Sequence, residues 1–94
     1  MERKPYVGKN EKLRFSNEKG YVCEDTNFKA FRVAKYSKCL EDGFVGDALS
    51  ETTVRYDCGL CVSYDPIHGS SSWYVDHCIG KRGAMKYAKA LLGA

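Results

Sequence analysis

The sequence predicts an α+β fold, in which an antiparallel sheet of about four strands has an amphipathic C-terminal helix, with room for a second helix, packed on one face. Two observations support this prediction. Two stretches alternate polar and apolar residues on either side of turn-forming residues, as β-hairpins do. Residues 82–92 repeat apolar side chains with helical periodicity. We expect residues 1–94 to form a single domain whose first ten residues fray, because they lack periodicity.

The N-terminal hairpin is predicted from residues 12–23. Residues 12–16 alternate between polar and apolar side chains, as a half-buried strand does. Residues 17–20 are turn formers, and residues 21–23 resume an extended pattern. The sequence therefore predicts two antiparallel strands joined by a loop at residues 17–20.

Residues 27–40 fit the helix and strand templates almost equally well. A residue among 25–27 can cap a helix and Gly43 can end it, but Phe28, Phe31 and Cys39 fall off the apolar side of the helix. The strand template is no cleaner, because both of its faces mix apolar and basic residues. We favour a second helix here, with a strand as the alternative.

A second hairpin is predicted from residues 52–79. Residues 52–64 are rich in β-branched and aromatic residues and predict one strand, with Gly59 at a bulge or bend. Pro66 and Gly69 mark a loop, and residues 72–79 alternate as the next strand. This pattern places His77 half-buried on the same face as Trp73.

The C-terminal helix has the clearest pattern. Between residues 82 and 92, alanine, leucine, methionine and tyrosine side chains occupy one side of the helical wheel. Arg82, Lys86 and Lys89 occupy the other side. Gly80 precedes the helix and Gly93 follows it, which sets its bounds.

The charges are segregated along the chain, whose formal net charge is +3. Residues 26–40 and 81–94 each carry four basic residues and no acidic one, whereas residues 41–65 carry six acidic residues and one basic residue. Ordinary solvated surface is one interpretation, and a surface that attracts a partner of opposite charge is the other. On the second interpretation the partner-binding residues are Lys29, Arg32, Lys35, Lys38, Arg82, Lys86 and Lys89.

The five cysteines are an odd number in a chain that begins without the apolar stretch of an export signal. Reduced thiols fit this pattern better than a disulfide framework, so the sequence predicts a cytoplasmic protein. No apolar run approaches the roughly 20 residues that span a membrane, so we expect no membrane partner.

One cysteine spacing raises the question of zinc. Cys58 and Cys61 are separated by two residues, and a turn with this spacing can bring two thiolates to one zinc ion. His77 or Cys78, together with Cys23 or Cys39, could complete four ligands. A second knuckle is missing, so we favour small apolar residues in a reduced core and expect no cofactor, with zinc as the alternative.

No set of residues predicts an enzyme. His77 and Cys78 are adjacent, and neighbouring strand residues point to opposite faces. The serines after His68 lack the pattern of a phosphate-binding loop, and no two carboxylates have a defined separation.

Residues 80–92 resemble the last helix of double-stranded-RNA-binding domains. In both, a strand leads into a glycine-containing turn, and a helix then opens with basic residues and continues with alanine-rich spacing. The resemblance covers this helix and the strand before it. It implies that Lys81, Arg82 and Lys86 contact phosphates.

The sequence as a whole predicts a small non-catalytic binding protein, of the adaptor or inhibitor type that viruses and mobile elements use against host proteins or nucleoprotein complexes. Segregated charge, many aromatic residues and the missing catalytic pattern support it. One alternative is a nucleic-acid-binding domain that uses the same basic helix. The other is an interaction module stabilised by zinc.

Overall fold

The computed structural model describes residues 5–36, 49–65 and 69–94. They form a six-stranded antiparallel sheet whose strands lie side by side in chain order. A 3₁₀ turn at Asp76–Cys78 and one α-helix follow the sheet. The α+β class is confirmed, but six strands replace the predicted four. The elements are β1 (Glu11–Asn17), β2 (Gly20–Asp25), β3 (Ala30–Tyr36), β4 (Leu49–Arg55), β5 (Leu60–Asp65), β6 (Gly69–Tyr74) and α1 (Lys81–Leu91).

The predicted N-terminal hairpin is present as β1 and β2, with a tighter turn than expected. Asn17 pairs with Gly20, so only Glu18 and Lys19 lie between the strands. The Asn17 side-chain oxygen accepts hydrogen bonds from the backbone N–H groups of Lys19 and Gly20, with N···O distances of 2.9 and 3.1 Å. This side-chain bond takes the place of a longer loop.

The second helix expected over residues 27–40 is wrong for Ala30–Tyr36, which form strand β3 between β2 and β4. Phe31 and Val33 lie under α1, whereas Arg32 and Ala34 point to the opposite face, which we call the open face. Both faces of this central strand are largely covered, so the polar–apolar alternation that marks a strand is weak. Residues 37–40 lie outside the described residues.

The single strand expected over residues 52–64 is two strands, β4 and β5. They are separated by a turn that closes when the Gly59 N–H donates to the Arg55 carbonyl at 2.7 Å. Gly59 has a φ of 78°, a conformation that favours glycine. In place of the predicted bulge or bend within one strand, the chain reverses here, which accounts for one of the additional strands.

The predicted pairing of the last two strands is confirmed, with Leu60 opposite Tyr74 and Asp65 opposite Gly69. The expected continuation of the strand to residue 79 is wrong, because β6 ends at Tyr74 and Asp76–Cys78 form the 3₁₀ turn. His77 is consequently exposed and not half-buried.

The main core lies between the sheet and α1, whose predicted range is confirmed to within one residue at each end. Ala84, Ala88 and Leu92 are the buried residues of the helical segment. Small side chains at two of these positions let the helix approach the sheet closely. Against them pack Val22, Phe31, Val33, Val54, Cys61 and Cys78.

The open face is covered more thinly. Tyr21, Cys23 and Ala34 form a small buried cluster there, with Tyr36 against it. The strands β5 and β6 leave larger apolar side chains exposed: Val62, Tyr64 and Tyr74. Within the described residues, no helix is long and apolar enough to cross a membrane.

Candidate functional site

A groove lies between α1 and the 3₁₀ turn and encloses about 500 Å³. It exists because the helix sits directly on the turn: a Cβ atom on Gly83 would be only 1.8 Å from the His77 carbonyl oxygen. The helix residues that follow then form one wall and the turn forms the other. The groove is lined by His77, Arg82, Gly83, Lys86, Tyr87 and Ala90.

An aromatic contact fixes the floor of the groove. The Trp73 indole Nε1 donates a hydrogen bond to the Tyr87 hydroxyl at 3.1 Å, which ties β6 to α1. The His77 ring meets the Tyr87 ring edge-on, with 5.8 Å between centroids. Tyr87 is therefore held on two sides and offers a rigid apolar surface.

The groove carries two unneutralised cations. In the part of the chain that the structure describes, no ion pair involves Arg82 or Lys86, and both side chains are exposed. The neighbouring Lys81 differs, because its Nζ lies 3.2 Å from Glu24 Oε2. Lys89 differs too, since it is half-buried and its Nζ lies 5.4 Å from the centre of the Phe15 ring. Three cations were predicted to point outward from this helix. Within the described part of the chain, Arg82 and Lys86 are exposed and unneutralised, whereas Lys89 is half-buried.

None of the described basic residues predicted between 26 and 40 lines the groove. Arg32 lies on the open face, where its guanidinium contacts Glu11 at 2.9 Å and Glu51 at 3.2 Å. These contacts neutralise Arg32 and raise its pKa further, chiefly through the hydrogen bond to Glu11. Lys29 is exposed in the turn before β3, and Lys35 is exposed near its end. Lys38 lies outside the described residues.

Glu24 is a buried carboxylate that the sequence analysis did not single out. Arg14, Lys81 and the Tyr56 hydroxyl all contact it, at 2.8, 3.2 and 3.1 Å. Burial raises its pKa, but the hydrogen bonds from Lys81, Arg14 and Tyr56 together outweigh burial and leave the pKa lowered. The sequence feature that could have identified Glu24 is its position two residues after Val22, because both faces of this strand are covered. Glu24 anchors the first turn of α1 through Lys81, and so supports the groove indirectly.

The four weak zinc candidates, Cys58, Cys61, His77 and Cys78, are not gathered around one point. Cys61 and Cys78 are buried next to each other in the core. Burial, with the Cys78 thiol beside it, raises the pKa of Cys61 to about 11. Cys58 is exposed beside Asp57, and His77 packs on Tyr87. Among the described residues no group of three or more His, Cys, Asp or Glu is arranged to hold a metal ion, and zinc stays a prediction.

The thiols provide a test of this arrangement. In the folded protein at pH 8, we expect iodoacetamide to modify Cys58 much faster than Cys61 or Cys78, because the thiolate is the reactive form and both buried thiols have raised pKa values. Mass spectrometry of the digested protein gives the modified positions, and denaturant should expose all of them. Protection of Cys58 that a chelator relieves would contradict the expectation and would support zinc.

Comparisons with protein-family models, with curated proteins and with solved structures found no match. The groove, its rigid aromatic floor and its two free cations are the features from which a function can be inferred. Guanidinium and ammonium groups at such a rim can donate charge-assisted hydrogen bonds to an anionic group.

Proposed function

We propose that this protein is a non-catalytic binding protein that holds an acidic segment of a partner protein in the groove beside α1. One observation carries the proposal: Arg82 and Lys86 stand one helical turn apart on the rim of a groove with an apolar floor, and no described carboxylate neutralises them. An aromatic floor with an arginine beside it is typical of protein-binding surfaces. Adaptor and inhibitor roles both fit such docking, including action by a virus or mobile element on a host protein.

The number of unneutralised cations in the groove favours a protein partner over a nucleic acid. Nucleic-acid affinity at physiological salt comes from several phosphate contacts. Here Lys81 is engaged by Glu24, and Arg32 by two carboxylates on the other face. Of the three residues that the resemblance to double-stranded-RNA-binding domains implies as phosphate contacts, Arg82 and Lys86 are free. Two cations suit a short acidic peptide better than a duplex.

A cytoplasmic location belongs to the same proposal. The four described cysteines are unpaired, and three of them are buried. Buried thiols of this kind persist in a reducing compartment.

The charge-reversed variant Arg82→Glu/Lys86→Glu tests the groove. The probe is a glutamate-rich peptide, compared with its glutamine counterpart, and the readout is the fluorescence of Trp73, the single tryptophan of the chain. Because Trp73 is hydrogen-bonded to Tyr87 in the groove floor, peptide binding should change the emission of Trp73. We expect the unmodified protein to prefer the glutamate peptide, and the variant to bind it at least about tenfold more weakly, or about 1.4 kcal/mol.

The matched control is Lys9→Glu/Lys19→Glu, which makes the same change of net charge at two exposed turn positions that do not line the groove. Its affinity should stay within about twofold of the unmodified protein. Equal loss in both variants would show a general charge effect and would contradict the proposal. Tighter binding of duplex RNA than of the peptide, with affinity falling steeply between about 50 and 200 mM salt, would favour the nucleic-acid alternative instead.

A further inference from the structure

The strand β6 is an edge of the sheet, and among the described residues no strand pairs with its outer side. Its sequence, Gly-Ser-Ser-Ser-Trp-Tyr, contains no charged residue and no proline. Sheet edges are normally protected from further pairing by such residues, by bulges or by a covering element. The β6 edge has the composition of an edge that accepts another strand.

The register identifies which backbone groups of β6 are free. The Val75 N–H donates to the Gly59 carbonyl at 2.9 Å, and the pairing continues with Trp73 opposite Cys61. In an antiparallel pair, residues alternate between bonding the neighbour and pointing away from it. Ser71 and Trp73 therefore bond to β5. The backbone groups of Ser70, Ser72 and Tyr74 point outward, where an incoming strand would bond.

The two faces of this edge differ in chemistry. On the helix face, Trp73 donates a hydrogen bond to Tyr87, which lines the groove together with Arg82 and Lys86. On the open face, Tyr74 is 73% exposed, and Tyr64 and Val62 on β5 are 54% and 39% exposed. A strand added at this edge would place every second side chain on the helix face, which carries Arg82 and Lys86, and the others beside an exposed apolar surface.

The residue spacings of the strands and of α1 match. Lys81 lies against Glu24 at the end of β2, and Leu92 packs near Gly20 at its start, so α1 runs along the strands. Alternate residues of a strand are roughly 6.6 Å apart. Residues four apart in a helix, as Arg82 and Lys86 are, advance about 6 Å along its axis. Two acidic residues at alternate positions of an added strand therefore have nearly the same spacing as the two cations.

We propose that the partner segment binds in extended conformation as a seventh strand on β6, with acidic side chains toward α1 and apolar side chains toward the open face. The inference rests on the proposed function and specifies its ligand: a stretch in which acidic and apolar residues alternate. A second copy of this chain fits less well. Antiparallel pairing of two β6 edges would place both helices on one face and bring two pairs of free cations together.

The test uses an octapeptide that alternates glutamate and valine, and its binding is measured by the change in Trp73 fluorescence. One control peptide has the same composition in two blocks, and another is N-methylated at alternate backbone positions so that it cannot donate to the edge. We expect the alternating peptide to bind at least about tenfold more tightly than either control, because only it combines backbone pairing with both side-chain rows.

A change in the protein tests the same edge from the other side. Ser72→Pro removes an outward-facing N–H without removing a bond to β5, a position at which edge strands accept proline. Ser72→Pro should weaken binding of the alternating peptide at least about tenfold, whereas Ser72→Ala should leave its affinity unchanged. Circular dichroism shows whether the proline variant keeps its fold; if it does not, the N-methylated peptide decides.

The outcomes separate this inference from the proposed function. Equal binding of the methylated and unmethylated peptides, with Arg82→Glu/Lys86→Glu still abolishing binding, would overturn strand addition and leave the groove as the binding site. Failure of every acidic peptide to bind would overturn both. A stable dimer of the free chain that Ser72→Pro dissociates would show that a second copy occupies the edge, and would also overturn the inference.

Discussion

Replacing Glu24 by glutamine is expected to lower the free energy of unfolding by about 3 kcal/mol. The side chain of Glu24 is 3% exposed and receives three donors, from Arg14, Lys81 and Tyr56. Glutamine has nearly the same shape but one acceptor oxygen, and its amide nitrogen would face donors. Denaturant unfolding measures the difference. Glu18→Gln, at an exposed turn position, is the matched control and should change the free energy by less than about 0.5 kcal/mol.

The same carboxylate gives stability a specific pH dependence. The pKa of Glu24 is lower in the folded protein than its ordinary value of 4.5, so the folded state binds fewer protons. Its stabilisation is fully present above the unfolded-state pKa, decreases as pH falls below it, and is lost once pH has passed through the folded-state pKa. Glu24→Gln should therefore flatten the acid side of the stability curve. A curve parallel to that of the unmodified protein would contradict this account of Glu24.

Replacing Gly83 by alanine is expected to destabilise the protein by about 2 kcal/mol, although alanine is ordinarily the better helix former by about 1 kcal/mol. The added Cβ would lie 1.8 Å from the His77 carbonyl oxygen and 3.0 Å from its carbonyl carbon. Both atoms belong to backbone, so the helix and the 3₁₀ turn must separate. Because they form the two walls of the groove, the change should also weaken peptide binding.

The control for Gly83→Ala is Ala90→Gly at an exposed position of the same helix. There the ordinary preference should hold, and glycine should cost about 1 kcal/mol. Thermal and denaturant unfolding of both variants therefore test a reversal of sign between two positions of one helix. A stabilising Gly83→Ala would show that the helix does not sit on the turn as closely as the structure has it.

The sequence predicted the elements whose pattern is local. The helix shows its periodicity because one of its sides is buried against the sheet and the other is solvated. The central strand β3 could not be recognised, because Phe31 is buried under α1 while Arg32 is paired on the opposite face with Glu11. The sequence predicts a bulge or bend and not a reversal at residues 56–59, since residues on both sides of Gly59 favour strands.

The candidate site was predictable to the same extent. Helical spacing alone indicated that Arg82 and Lys86 point outward. It could not show that Lys81 pairs with Glu24, because that contact joins residues far apart in the chain. The groove floor was also hidden, since Tyr87 meets Trp73 and His77 only after the chain leaves β6 through the 3₁₀ turn.

The order of the strands has a consequence for how the molecule acquires its shape. Each strand pairs with its neighbour in the chain, so the sheet consists of contacts at short sequence separation, which favours rapid folding. The main apolar face of the sheet is covered by α1, which comes after all the described strands in the chain. During synthesis on the ribosome the meander can form early, but Val22, Phe31 and Val54 stay open to water until the helix emerges. Nascent chains stalled before α1 should therefore recruit chaperones or aggregate, and chains that include α1 should not.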